Sequence, residues 1–275
     1  MIKVGDHIGV VGLGAMGAPV ARHLASAGFS VLGHDRDPSA TAALATAGVR
    51  PADGLGALTD CAAVLLFVPG DQDVRDAATE YAAQLVTATG PAPYLVICSS
   101  VTPATCRVAA EILGDRAVVV DAPLTGGVRG AEAGRINLLT GGDEDAVAAL
   151  RPVFDTFCAT VNHLGPLGSG QVGKTVNNLV HWGEIAVLVE ALEFGEALGV
   201  PAARMRRALI DGPTDGRTLR ELEEFRLTWW SKDLANAFAM AAEARELPVA
   251  RLVHELMPGI TVDRLRAMTN HPTWA

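Results

Sequence analysis

A chain of 275 residues that is 49% hydrophobic and 19% charged can bury a sizeable core and is too apolar to be disordered. A net charge of −9 with no basic run excludes nucleic acid as the main partner, because phosphate binding needs clustered Lys and Arg. No apolar run approaches the ~20 residues that span a bilayer. The expectation is therefore a cytoplasmic protein without membrane attachment. Four cysteines, Cys61, Cys98, Cys106 and Cys158, form no Cys-x-x-Cys pair and have no His at ligand spacing, so they read as reduced core thiols and no metal site is expected.

The N-terminal apolar run is broken by Asp6, His7 and glycines, so it starts a strand and not a signal peptide. His7–Gly12 is β-rich and ends in Gly. Ala18–Gly28 has helical spacing with a glycine C-cap. Phe29–Asp35 is the next strand, and Pro38–Gly48 is again helix then Gly. Ala62–Pro69 and Pro93–Ser100 are continuous apolar runs of the kind buried in parallel sheets. The helical stretches "DQDVRDAATEYAAQLV" and "TPATCRVAAEILG" follow them, with Pro103 in a first turn. Ala117–Pro123 and Ile136–Gly142 read as strands, "EDAVAALRPVFDTF" as a helix, and "ATVNHLG" as a closing edge strand. This alternation means βαβ units and a doubly wound parallel sheet. Beyond Gly165 the texture is helical, beginning with a long helix over about Gly170–Leu198. The expected organisation is α/β: an N-terminal domain with a doubly wound parallel sheet over 1–164, joined by that helix to an all-helical domain over 165–275.

"GVVGLGAMG" carries Gly12-x-Gly14-x-x-Gly17 between a strand and a helix, the setting that gives this pattern meaning. Gly12 allows the tight turn, Gly14 lets backbone approach a pyrophosphate, and Gly17 lets helix and strand pack closely. Ala15 and Met16 complete the turn, and the helix N-terminus supplies N–H donors. Asp35 stands about 20 residues on, where an acid holds the adenosine ribose hydroxyls. A carboxylate there favours NAD over NADP. Arg36 beside it is suited either to stacking on adenine or to pairing with a 2′-phosphate.

Four stretches in order, "GLGAMGAPVARHLASAGFSVLGHDRDP", "DAPLTGGVRGAEAGRINLLTGG", "GSGQVGKTVNN" and "KDL", resemble the β-hydroxyacid dehydrogenases, the 3-hydroxyisobutyrate dehydrogenase-like group. The resemblance covers nearly the whole chain. It implies a Rossmann domain, a helical domain, a homodimer or homotetramer, and NAD(P)-linked interconversion of a small 3-hydroxyacid with its semialdehyde or keto acid. Lys174 matches the family's catalytic lysine, and Asn178 the asparagine bonded to substrate. Thr125, Gly126 and Gly127 match the substrate-carboxylate loop, and Lys232 a lysine near cofactor and substrate. Val68, Pro69 and Ser100 match segments lining the dinucleotide. The family's loop usually reads Ser-Gly-Gly, so Thr125 adds a methyl that narrows the pocket. An imine reductase of the same architecture typically carries Asp or Tyr where this chain has Lys174. A 6-phosphogluconate dehydrogenase would need more basic residues. A catalytically silent dinucleotide-binding module would have lost the lysine.

From the residues themselves, Lys174 and Asn178 are four apart and share a helix face. A lysine lining a cleft is partly desolvated, which favours the neutral amine that a general base requires. Backbone N–H groups of Gly126 and Gly127 with the Thr125 hydroxyl would hold a carboxylate. His181, Asp121, Arg129 and the pair Trp229–Trp230 read primarily as structural or surface residues.

Overall fold

The computed structural model describes residues 2–87, 90–242 and 244–268. It divides into two compact units, Met1–Lys174 and Thr175–Ala275.

In the first unit, β1 (His7–Val11), α1 (Gly17–Ser26), β2 (Ser30–His34), α2 (Pro38–Ala42) and β3 (Arg50–Pro51) come first. Next are β4 (Ala63–Leu66), α3 (Asp71–Gln84), β5 (Tyr94–Ile97), α4 (Pro103–Leu113) and β6 (Val118–Asp121). These six strands are parallel in the order β3-β2-β1-β4-β5-β6. Period-two alternation sends successive side chains to opposite faces. Ala63 and Leu65 enter one apolar cluster with Val20 and Leu24 of α1, while Val64 and Leu66 enter another with Tyr81 of α3 and Cys106 of α4. Both faces are thus covered by helices, as the apolar runs require. Burying each such Val or Leu contributes about 1.5–3 kcal/mol before chain entropy is counted. The short β3 has no sequence signature: it is two residues, one of them Pro51, at the sheet edge.

The chain continues through β7 (Leu124–Thr125), α5 (Gly127–Glu132), β8 (Ile136–Thr140), α6 (Glu144–Phe154) and β9 (Cys158–His163). These strands form a separate three-stranded sheet, β7-β8-β9, with β7 antiparallel and β9 parallel to β8. The expected closing edge strand therefore does not extend the large sheet. From the end of β6, Asp121 makes an isolated antiparallel bridge to Gly141, and Pro123, two residues on, has no N–H with which to extend it.

The long helix α7 spans Ser169–Ala197. Its first turn goes with the sheets because its backbone is tied there, as described below. The second unit adds α8 (Ala202–Ile210), α9 (Arg217–Arg220), α10 (Trp230–Ala241), α11 (Pro248–Leu256) and α12 (Val262–Ala267). Trp182, Ile185, Val189 and Leu192 of α7 enter its core with Leu234, Val253 and Leu265. The helical texture over Leu219–Leu227 yields only the end of α9 and a 3₁₀ turn at Leu222–Glu224. Arg206 explains the stop: its guanidinium donates to the Leu219 and Arg220 carbonyls, each at 2.7 Å, taking the acceptors a longer helix would use. No helix among the described residues is long and apolar enough to cross a membrane.

Candidate active site

The strand order reverses direction between β1 and β4, and ligands of such sheets bind beyond the carboxyl ends of the strands at that point. The glycine turn leaves β1 there. Gly12 has φ +88°, and a Cβ on it would collide with the Phe67 carbonyl. A Cβ on Gly17 would run into the Gly12 carbonyl. Gly14 is different: a Cβ there meets nothing within 4 Å, so its backbone faces open space. In the first turn of α1, Ala18 donates its N–H to Gly14 O at 3.1 Å and Pro19 has none to give, so the N-terminal dipole, more than a row of open donors, favours an anion there. Two glycines close the turn and the third leaves room outside it, which fits a pyrophosphate.

Asp35 follows β2. Its Oδ2 accepts the Leu13 N–H at 2.6 Å and its Oδ1 the Asp37 N–H at 2.9 Å. The carboxylate thus braces the glycine turn, and each oxygen keeps a further lone pair for a sugar hydroxyl. Arg36 is ion-paired to Asp73 of α3 at 2.8 Å with its side chain 78% exposed. At the end of β4, Val68 donates its N–H to Ser99 Oγ at 2.9 Å, and Ser99 donates to Leu66 O at 3.3 Å. Pro69 continues that wall, and Ser100 follows Ser99. Sequence reasoning chose Ser100, whereas the hydroxyl that fixes the wall belongs to its neighbour.

Gln171, 1% exposed, clamps the same segment. It donates Nε2–H to Ser99 O at 2.9 Å and accepts the Val101 N–H at 3.1 Å, gripping both sides of Ser100. Asp121, fully buried at the end of β6, accepts the Gly168 N–H at 2.6 Å and the Gln171 N–H at 2.8 Å. Burial pushes its carboxyl up, while these backbone donors at a helix N-terminus pull against that. A Cβ on Gly170 would lie 2.5 Å from Leu139 O and 2.7 Å from Asp121 Oδ2, so only glycine lets α7 start this close to the sheets. Lys174, half-buried, stands on the next turn. The Gly165–Asn178 stretch is thus a docking device for the helix start, and neither Gln171 nor Asn137 (below) stood out in the sequence.

Two residues separate Asp121, the end of β6, from the start of β7, and Thr125 closes that strand. Thr125 Oγ1 donates to Asn137 O at 3.2 Å and accepts from Asn137 Nδ2 at 2.9 Å. Its hydroxyl thus pairs with the neighbouring strand as both donor and acceptor. Gly126 and Gly127 have φ of +113° and +64°, and a Cβ on Gly127 would meet nothing within 4 Å.

Asn178 and Lys232 belong to the second unit. Asn178, 7% exposed, stands one turn beyond Lys174 on α7 and accepts from Asn177 Nδ2 at 3.2 Å. Lys232 lies in the first turn of α10 beside Asp233, whose carboxylate takes the Trp182 indole N–H at 3.1 Å. His181 is held by Thr218 Oγ1 at 3.3 Å and by the Phe225 ring at 4.6 Å between centroids. Trp230 packs into the helical core against His254, and Trp229 is 43% exposed. Burial raises all four thiols, Cys61 to about 12, which makes them poor nucleophiles. Among the described residues no group of three or more His, Cys, Asp or Glu could hold a metal ion.

Residues 7–165 match the family model for the NAD binding domain of 6-phosphogluconate dehydrogenase, and residues 168–269 the model for the NAD-binding region of NADP-dependent 3-hydroxyisobutyrate dehydrogenase. The chain belongs to the β-hydroxyacid dehydrogenase family. A probable 3-hydroxyisobutyrate dehydrogenase-like protein of Arabidopsis thaliana is 31% identical over 264 residues, covering 93% of this chain and 82% of that protein. An NAD-dependent L-serine dehydrogenase of Pseudomonas aeruginosa is 33% identical over 201 residues, covering 71% of this chain and 66% of the relative. The solved structure of Mycobacterium tuberculosis 3-hydroxyisobutyrate dehydrogenase with L-serine superposes with a TM-score of 0.86 at 24% identity, covering 96% of this chain and 98% of that one. As a β-hydroxyacid dehydrogenase, the chain is an oxidoreductase with NAD(P)-binding domains and a small-molecule substrate.

Proposed function

We propose that this chain is an NAD-dependent dehydrogenase of a small 3-hydroxyacid, yielding the semialdehyde or keto acid, with Lys174 as general base and, in reverse, general acid. The observation that carries this reading is the clamp on the start of α7: Asp121 and Gln171 fix Gly168–Gln171 beside Ser99–Val101, and Lys174 follows on the next turn. The bound nicotinamide supplies the hydride acceptor. Gly14 and the α1 N-terminus hold the pyrophosphate, Asp35 the ribose hydroxyls, and Val68, Pro69 and Ser100 border the dinucleotide. The Gly126 and Gly127 N–H groups hold the substrate carboxylate. Lys174 Nζ takes the hydroxyl proton as the C3 hydrogen departs with its electron pair, and returns it to the oxygen in the reverse direction. Asn178, one helical turn beyond Lys174, orients that oxygen. Asp35 supports NAD over NADP, with Arg36 engaged by Asp73. The active form is a cytoplasmic homodimer or homotetramer.

The test is Lys174→Ala. Turnover should fall by roughly 10²–10⁴-fold, the share of a general acid–base group, while NADH still binds. Near-wild-type turnover would remove the assignment.

A further inference from the structure

The register of the small sheet places Asn137 directly opposite Thr125 and also opposite Thr160. A directly opposed pair presents its side chains on one face. The Asn137 amide is held from behind: its Oδ1 accepts from Thr160 Oγ1 and, at 2.7 Å, from Asn162 Nδ2. That leaves Nδ2 to donate to Thr125 Oγ1 at 2.9 Å, while the Thr125 hydrogen goes to Asn137 O at 3.2 Å. A hydroxyl has one hydrogen and two lone pairs. Here the hydrogen and one lone pair are taken by the same residue. What half-buried Thr125 has left to offer a ligand is a single acceptor lone pair.

We infer that Thr125, oriented by Asn137, selects 3-hydroxyacids carrying a hydrogen-bond donor, an ammonium or a hydroxyl, on C2. The inference rests on the proposed site, in which the Gly126–Gly127 backbone holds the carboxylate. The C2 atom next to that carboxylate then lies by the residue that precedes Gly126. A C2 methyl would leave the Thr125 lone pair unmatched and desolvated, whereas an ammonium or hydroxyl satisfies it. Asn137 is a positioning residue: it acts through the hydroxyl it orients.

The experiment measures kcat and KM with NAD for L-serine, glycerate, 3-hydroxyisobutyrate and 3-hydroxypropionate. These carry on C2 an ammonium, a hydroxyl, a methyl and only hydrogens. The wild-type chain should favour L-serine or glycerate over 3-hydroxyisobutyrate by roughly tenfold or more in kcat/KM, the factor one unreplaced hydrogen bond is worth. Which of the two leads separates the ammonium from the hydroxyl. Asn137→Ala and Thr125→Val should each bring that ratio towards one, mainly through KM, and Asn137→Ala should keep kcat on 3-hydroxypropionate. Thr125→Ser should retain it. A wild-type preference for 3-hydroxyisobutyrate, or a preference untouched in both Asn137→Ala and Thr125→Val, overturns the inference while the dehydrogenase reading stands. No turnover of any of the four overturns both.

Discussion

Asp121 Oδ1 accepts the Gly168 backbone N–H at 2.6 Å, so the end of one strand caps the start of the helix that carries Lys174. The other oxygen takes the Gln171 N–H at 2.8 Å. Asp121→Asn keeps the shape but has only one oxygen, and its NH₂ must face one of these two donors. An unsatisfied buried donor costs about 1–3 kcal/mol. The variant should unfold at lower denaturant, and the amides of Gly168 to Lys174 should exchange faster. kcat should fall more than NADH affinity does, because the glycine turn is untouched. Unaltered exchange at those amides would show that the clamp does not hold the helix start.

The three glycines of the first turn should separate in their effects. A Cβ on Gly17 strikes the Gly12 carbonyl, so Gly17→Ala should destabilise the fold itself. A Cβ on Gly14 meets no protein atom within 4 Å and its φ is ordinary, so Gly14→Ala should fold as well as the wild type. It should nonetheless weaken NADH binding by about tenfold or more, because the methyl occupies the pyrophosphate's space. Paired thermal denaturation and NADH titration of the two variants read this directly. Normal NADH affinity in Gly14→Ala would move the dinucleotide elsewhere.

The large elements were legible in the sequence because each has a local cause. The apolar runs Ala63–Leu66 and Tyr94–Ile97 are short and turn-bounded, as buried strands are, and Gly12-x-Gly14-x-x-Gly17 has meaning only between strand and helix. The long helix was placed within a residue at each end, at Ser169–Ala197. What escaped is what long-range pairing decides. No local pattern tells that β8 and β9 leave the parallel sheet, or that Asn137 falls opposite Thr125. Gln171 looked like one polar residue among small ones, and its partners at Ser99 and Val101 are 70 or more positions away. The Thr125 hydroxyl was visible as a substitution, but the direction of its hydrogen depends on a strand that only the fold supplies.

The Arg36–Asp73 ion pair bears on cofactor choice more than on stability. With the Arg36 side chain 78% exposed, such a pair contributes at most about 1 kcal/mol, so Asp73→Asn should leave thermal stability nearly unchanged. The released guanidinium is then able to meet a 2′-phosphate, while Asp35 still repels it. Asp73→Asn should raise kcat/KM for NADP by a few-fold without lowering that for NAD. Combining it with Asp35→Ser should raise NADP use further. An NADP-to-NAD ratio that moves only when Asp35 changes would show that Arg36 plays no part in the choice.

Asp71, in the first turn of α3, ties the wall after β4 to the wall after β5. Its Oδ1 accepts from the Thr102 N–H at 2.9 Å, from Thr102 Oγ1 at 2.7 Å and from Thr105 Oγ1 at 2.6 Å. Burial alone would push its carboxyl up, but the bonds from Thr105 and Thr102 and the nearby Arg75 charge together take it below the usual value. Because the folded value lies below the unfolded one, the stability Asp71 contributes is present above the unfolded value and is lost as pH falls through the folded one. Asp71→Asn removes that dependence. Between pH 6 and pH 3 the melting temperature of the wild type should therefore drop further than that of the variant, with the variant already lower at pH 6. Equal drops in the two proteins would mean that this carboxylate does not couple the two walls.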